Sequence, residues 1–190
     1  MTLKNSPDRW GGISQLLHWT IAALILVIGI VGLTMGELPR TPKYFWVYTA
    51  HKSLGLTVLA LVVVRLAWRL YAGAPAPVPG TPTWQERIAS ATHTLLYALI
   101  FAVPLSGWLY DSASALRPFR WFGLFDVPKL SPPDRPLSQL AHGVHEWGFW
   151  LLVAVVLVHA GAALYHHLFQ SDDTLARMLP RGWLRRRDPS

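Results

Sequence analysis

Residues 143–167 read "GVHEWGFWLLVAVVLVHAGAALYHH". Between Glu146 and the closing histidines the stretch carries no formal charge, and it is a continuous apolar run with no strand-like alternation. About 20 helical residues cross a hydrocarbon core, so this segment reads as a transmembrane helix over roughly 143–169. Yet it holds His145, His159, His166 and His167, groups that hydrocarbon solvates poorly. An ionisable side chain at that depth marks a functional site by default, and an interhelical hydrogen bond is the bland alternative.

Three more stretches of the same kind lie upstream, over roughly 13–35, 47–71 and 88–110, each long enough to span. The 190 residues are 52% hydrophobic and only 14% charged, too apolar for an ordinary soluble domain. The expected fold is therefore all-α, a four-helix transmembrane bundle forming a single domain over 1–190, with no internal repeat. The first apolar run exceeds a secretory h-region and no small-x-small cleavage site follows "LTMGELPR", so it is kept as the first helix. With no cysteine in the chain, disulfides, iron–sulfur clusters and thiolate ligation are excluded.

An even number of spans puts both termini on one side. That side carries Lys4, Arg9, Arg69, Arg87, Arg177, Arg181, Arg185, Arg186 and Arg187, against Arg40, Lys43, Lys52, Arg117, Arg120, Lys129 and Arg135 on the other. The positive-inside rule then assigns both termini to the cytoplasm. The net charge of +7 flanks spans rather than forming one soluble face, so it suits anionic lipid headgroups and not nucleic acid. Of the connections, "GELPRTPKYFW" is short, "AGAPAPVPGTPTWQER" is proline-rich and extended, and the third, 111–142, holds "RPFRWFGLF". Alternating aromatic and arginine residues fit a segment lying in the outer interface.

The histidines fall into a pattern. His145 and His159 are 14 residues apart, which is about 21 Å along a helix and about 40° in azimuth, so they share a face at two depths. His18, at the cytoplasmic start of the first helix, matches His159; His51, at the outer start of the second, matches His145. Zinc, copper or nickel sites gather three or four ligands closely. Two separated pairs instead suit two haems, each with imidazole on both axial positions, an arrangement that favours electron transfer over gas binding. Arg65, 14 residues beyond His51, either pairs with a haem propionate or snorkels to the inner headgroups. Gly29 and Gly55 leave room for a flat macrocycle or serve helix packing. His166, about 10 Å beyond His159 on nearly the same face, is a candidate to hydrogen-bond a quinone; His93, His142 and His167 carry weaker signals.

The phrases "RWGGISQLLHWTIAALIL", "HKSLGLTVLALVVVRLAWRL", "HEWGFWLLVAVVLVHAGAALYHH" and "DDTLARMLPR" together resemble the bacterial cytochrome b561 family over essentially the whole chain. The resemblance implies two haem b groups, with His18 and His159 as axial ligands of the inner one and His51 and His145 of the outer one. It implies ubiquinone as electron acceptor, with His166 matching a family histidine, and the bacterial inner membrane as location. Four-helix relatives of this family include superoxide oxidase, so superoxide:ubiquinone oxidoreductase activity is the leading expectation. Lys52, Arg117 and Arg120 would then steer the superoxide anion. The alternatives are a haem-b subunit linking quinone to a partner dehydrogenase or soluble cytochrome, and, from another class, a non-redox membrane anchor or a proton relay.

Overall fold

The computed structural model describes residues 2–39, 41–116 and 118–184. Four long helices dominate: α1 Gly12–Met35, α2 Phe45–Ala72, α3 Thr83–Ala113 and α4 Arg135–Tyr165. Each is long and apolar enough to cross a membrane, so the chain is an all-α transmembrane four-helix protein. Between α3 and α4 sits one antiparallel hairpin, β1 Arg120–Trp121 with β2 Phe125–Asp126. A π turn at His166–Gln170 and a 3₁₀ turn at Ala176–Met178 follow α4.

The helices α3 and α4 start earlier than apolarity suggests, and at α4 a cap rather than hydropathy sets the start. Asp134 caps α4: its Oδ1 accepts from the Leu137 amide at 2.9 Å, the ordinary role of Asp at this position. Pro136 falls in the first turn, where its missing N–H is not needed. At the far end of α2, Gly73 takes the left-handed conformation (φ 75°) and its amide returns to the Arg69 carbonyl at 3.0 Å, a glycine helix stop.

Large apolar residues point outward from these helices, among them Leu26, Ile30, Trp147 and Leu157. Among the buried residues are the polar Ser14, Gln15, Ser53, Ser106, Asp111 and Ser112. Water would punish that distribution by exposing apolar area, whereas lipid tolerates it and requires buried polar groups to be hydrogen-bonded.

The chain divides into two compact units, and every long helix contributes a segment to both. One unit gathers residues 1–20, 63–96 and 153–190. Here the segments flanking the helices are laced together. Asn5 Nδ2 donates to the Gly73 carbonyl (2.7 Å) and the Ala76 amide to the Pro7 carbonyl (2.7 Å). Arg9 donates to the carbonyls of Ala176 and Leu179, and the Trp19 indole to that of Met178. The proline-rich connection and the "DDTLARMLP" tail are thus clasped to the start of α1.

The other unit gathers residues 21–62 and 97–152. Its hairpin docks on α2 through Ser53, a fully buried residue. Ser53 Oγ accepts from the Phe122 amide at 3.0 Å, and the Trp121 indole donates to the Ser53 carbonyl at 3.2 Å. Trp121 and Phe125 stack at 5.3 Å, which fixes the hairpin register across the strand pair. Of the interfacial segment 111–142 expected from sequence, the two ends belong to α3 and α4 and the described middle holds the hairpin and its flanking loops.

Candidate functional site

In the second unit, His51 of α2 and His145 of α4 face each other with ring centroids 6.0 Å apart. His145 Nδ1 lies 2.7 Å from the Val103 carbonyl of α3. A carbonyl only accepts, so Nδ1 carries the hydrogen and Nε2 is left with its lone pair for a metal. Two glycines let the rings sit where they do. A Cβ on Gly107 would lie 2.9 Å from His145 Cε1 and Nδ1, and one on Gly32 would lie 3.0 Å from His51 Cε1.

The first unit holds a second pair. His18 of α1 and His159 of α4 have centroids 6.3 Å apart, and His93 of α3 approaches His159 at 5.3 Å. Arg65 of α2 reaches the Ser14 carbonyl at 3.5 Å. Ser14 also accepts from the Trp68 indole and donates to Asn5 Oδ1.

Both pairs fit haem iron. Imidazoles bound on opposite sides of one metal at about 2 Å each place their centroids about 6 Å apart, which is what both pairs show. The donor set is nitrogen only: among the described residues no group of three or more His, Cys, Asp or Glu side chains is placed to hold a bare metal ion. Two imidazoles per site, each pair about 6 Å apart, fit a haem whose macrocycle would supply the other ligands.

The structure brings the other expected residues to varied settings. Lys52, next to His51, forms a 2.6 Å ion pair with Asp111, whose side chain is 4% exposed; Lys129 pairs with the same carboxylate at 3.2 Å. Arg120 lies 3.6 Å from Asp126, and Arg117 lies outside the described residues. His142 faces Glu146 at 3.9 Å and stacks edge-on against Tyr110. A Cβ on Gly55 would meet Ile28 at ordinary contact distance, and one on Gly29 would press on the Phe149 ring rather than on a histidine.

His166 Nδ1 lies 2.5 Å from Asp172 Oδ2. Burial opposes ionisation of Asp172, but hydrogen bonds from Thr174 and His166 outweigh it and hold this carboxyl below the ordinary carboxylate range. Sequence reasoning missed Val103, Gly107, Asp111 and Asp172. Only Asp172 left a trace, as the acidic pair that closes the turn after the last histidines.

Comparison with known proteins agrees with this geometry. The prokaryotic cytochrome b561 family matches residues 9–181. Cytochrome b561 homolog 2 of Escherichia coli (strain K12) is 35% identical over 184 residues, covering 94% of this chain and 95% of that protein. Cytochrome b561 homolog 1 of the same organism is 34% identical, covering 92% of this chain and 98% of that protein. A protein of Yersinia pestis named "Probable superoxide oxidase CybB" is 28% identical, covering 87% and 92%. A match of this extent, on four spans and paired intramembrane imidazoles, places the chain in the prokaryotic cytochrome b561 family of haem-b electron-transfer proteins of the bacterial membrane.

Proposed function

We propose that the chain is a di-haem superoxide:ubiquinone oxidoreductase, carrying electrons from the periplasmic side to quinone with both termini in the cytoplasm. The observation that supports it most is the pair of opposed imidazoles in each unit, 6.0 Å and 6.3 Å between centroids. His51 and His145 would hold one haem and His18 and His159 the other, with Arg65 available to pair with a propionate of the latter. Bound there, haem b would supply a reversible one-electron iron couple.

What the chain itself contributes is orientation, exclusion of water and charge. The Val103 carbonyl fixes the tautomer of His145, and the helices keep the ligands in a dry site. Beside His51, one carboxylate faces two ammonium groups, so the cluster carries an excess positive charge that favours approach of an anion such as superoxide. Lys52 acts there as a member of that cluster, and Arg120 retains only part of its pull because Asp126 faces it. His166 hydrogen-bonds the quinone. The balanced reaction is two superoxide plus ubiquinone plus two protons giving two dioxygen plus ubiquinol.

The test uses detergent-purified protein. Two low-spin b haems per chain and ubiquinone reduction under enzymatically generated superoxide are expected. A rate no higher than that of the haem-free His145→Ala, His159→Ala double variant removes superoxide as donor. Two haems without that activity then favour a carrier between quinone and a partner dehydrogenase.

A further inference from the structure

We propose that Asp172 and His166 form a proton-delivery dyad that serves quinone reduction, with His166 Nε2 giving the proton and Asp172 positioning and charging the ring. This rests on the quinone reading above.

The dyad is built, not incidental. After α4 the backbone widens into the π turn His166–Gln170, and Ser171 adopts a left-handed conformation (φ 53°). A non-glycine residue held in that region signals a turn fixed by its surroundings, and π turns of this kind recur at functional sites. The reversal brings the Ser171 and Asp172 amides back to the His166 carbonyl. Asp172 thereby lands on the His166 ring at 2.5 Å, six residues away in sequence. Its other oxygen accepts from the Thr174 amide at 2.8 Å, and the tail segment that follows is clasped by Arg9, just before α1, and by Gln15 and Trp19 of α1. Neither partner is loose: the side chains are 19% and 17% exposed.

The chemistry follows from the atoms. Asp172 is ionised and only accepts, so His166 Nδ1 carries the hydrogen and Nε2 faces away from the carboxylate. The carboxylate stabilises the imidazolium that forms when Nε2 takes a proton from water. Next to the ring, Tyr165 and Phe169 stack at 5.3 Å and are half or more exposed, a flat apolar platform for a quinone ring. As two electrons reach the quinone from two superoxide ions, one carbonyl oxygen takes its proton from Nε2 and the other from water. Ubiquinol leaves, and Nε2 is reprotonated from the aqueous side. Asp172 never transfers a proton.

The decisive experiment separates this dyad from the turn it sits in. Haem-loaded protein is reduced with dithionite, and the reoxidation of its haems by ubiquinone-1 is followed in light and heavy water. Asp172→Asn keeps an oxygen for the Thr174 amide and loses the charge. It should keep its haems and slow reoxidation at saturating ubiquinone-1 by about tenfold or more. The half-saturating concentration should stay within about twofold, and the solvent isotope effect should grow. In the native protein, nitrogen chemical shifts of labelled histidine should show His166 with hydrogen on Nδ1, the signal being identified by its loss in His166→Gln. Wild-type rates in Asp172→Asn beside a slow Asp172→Ala would make Asp172 a turn former only and overturn the proposal. A hydrogen on Nε2 with bare Nδ1 would overturn it without any variant. Failure of ubiquinone-1 to reoxidise the wild-type haems would sink the quinone reading and this inference together.

Discussion

His145 has two ring nitrogens, and its neighbours commit one of them. The Val103 carbonyl takes Nδ1, and Gly107 allows the ring to lie against α3. An added methyl at 2.9 Å has to displace an imidazole whose position the hydrogen bond fixes. Gly107→Ala is therefore expected to weaken haem retention at this site by about 10–100-fold, as loss of a ligand's supporting contacts does, while the other site stays loaded. Spectroscopic haem titration reads both. The ligand substitutions themselves divide more sharply. His51→Ala and His145→Ala should each leave one haem per chain, and His18→Ala and His159→Ala should each remove the other one. His93→Ala should keep both, even though it stands nearer to His159 than His18 does. If His18→Ala and His51→Ala deplete the same haem, the pairing is wrong.

Among the elements, the long connection is held by charge and the tail by turns. Asp111 at the end of α3 receives Lys52 from α2 and Lys129 from the loop. Asp111→Asn leaves two ammonium groups facing a neutral amide, with an expected loss of about 1.5–3 kcal/mol, read from the thermal unfolding of the purified protein. The tail responds to acid. Asp172 has a depressed folded value, so its contribution is present above the unfolded value of about 3.9 and is lost as pH falls through the folded one. Proteolysis of the segment after α4 should be independent of pH from neutrality to about 5 and accelerate only below about 4. Acceleration near pH 6 would point to a histidine instead.

For the whole molecule, the exposed apolar helix faces and the buried polar residues agree on a lipid surrounding. The flanking charges then set the direction of insertion. A reporter fused after Ser190 should be active only in its cytoplasm-sensing form. Reversing Arg177 and Arg181 to glutamate should weaken that preference less than removing them together with Arg185, Arg186 and Arg187. A periplasm-active fusion of the native chain would invert the donor and acceptor sides of the proposed reaction.

Sequence alone determined the four spans, because the 30 Å thickness of hydrocarbon translates directly into a count of apolar residues. Two imidazoles on one face of α4 were legible as well, since helical periodicity is a local property. The helix starts at Thr83 and Arg135 lay outside that reach, the second being set by the Asp134 cap, which hydropathy does not register. Only the tertiary structure decided who stands opposite whom: Val103 behind His145, Gly107 beneath its ring, Asp111 between two lysines, Asp172 against His166. Three of these four contacts join different elements, and the fourth depends on a turn whose shape the clasped tail maintains. Their residues carry no periodic signal, because a single hydrogen bond or a missing methyl is specified by position in space and not by spacing along the chain.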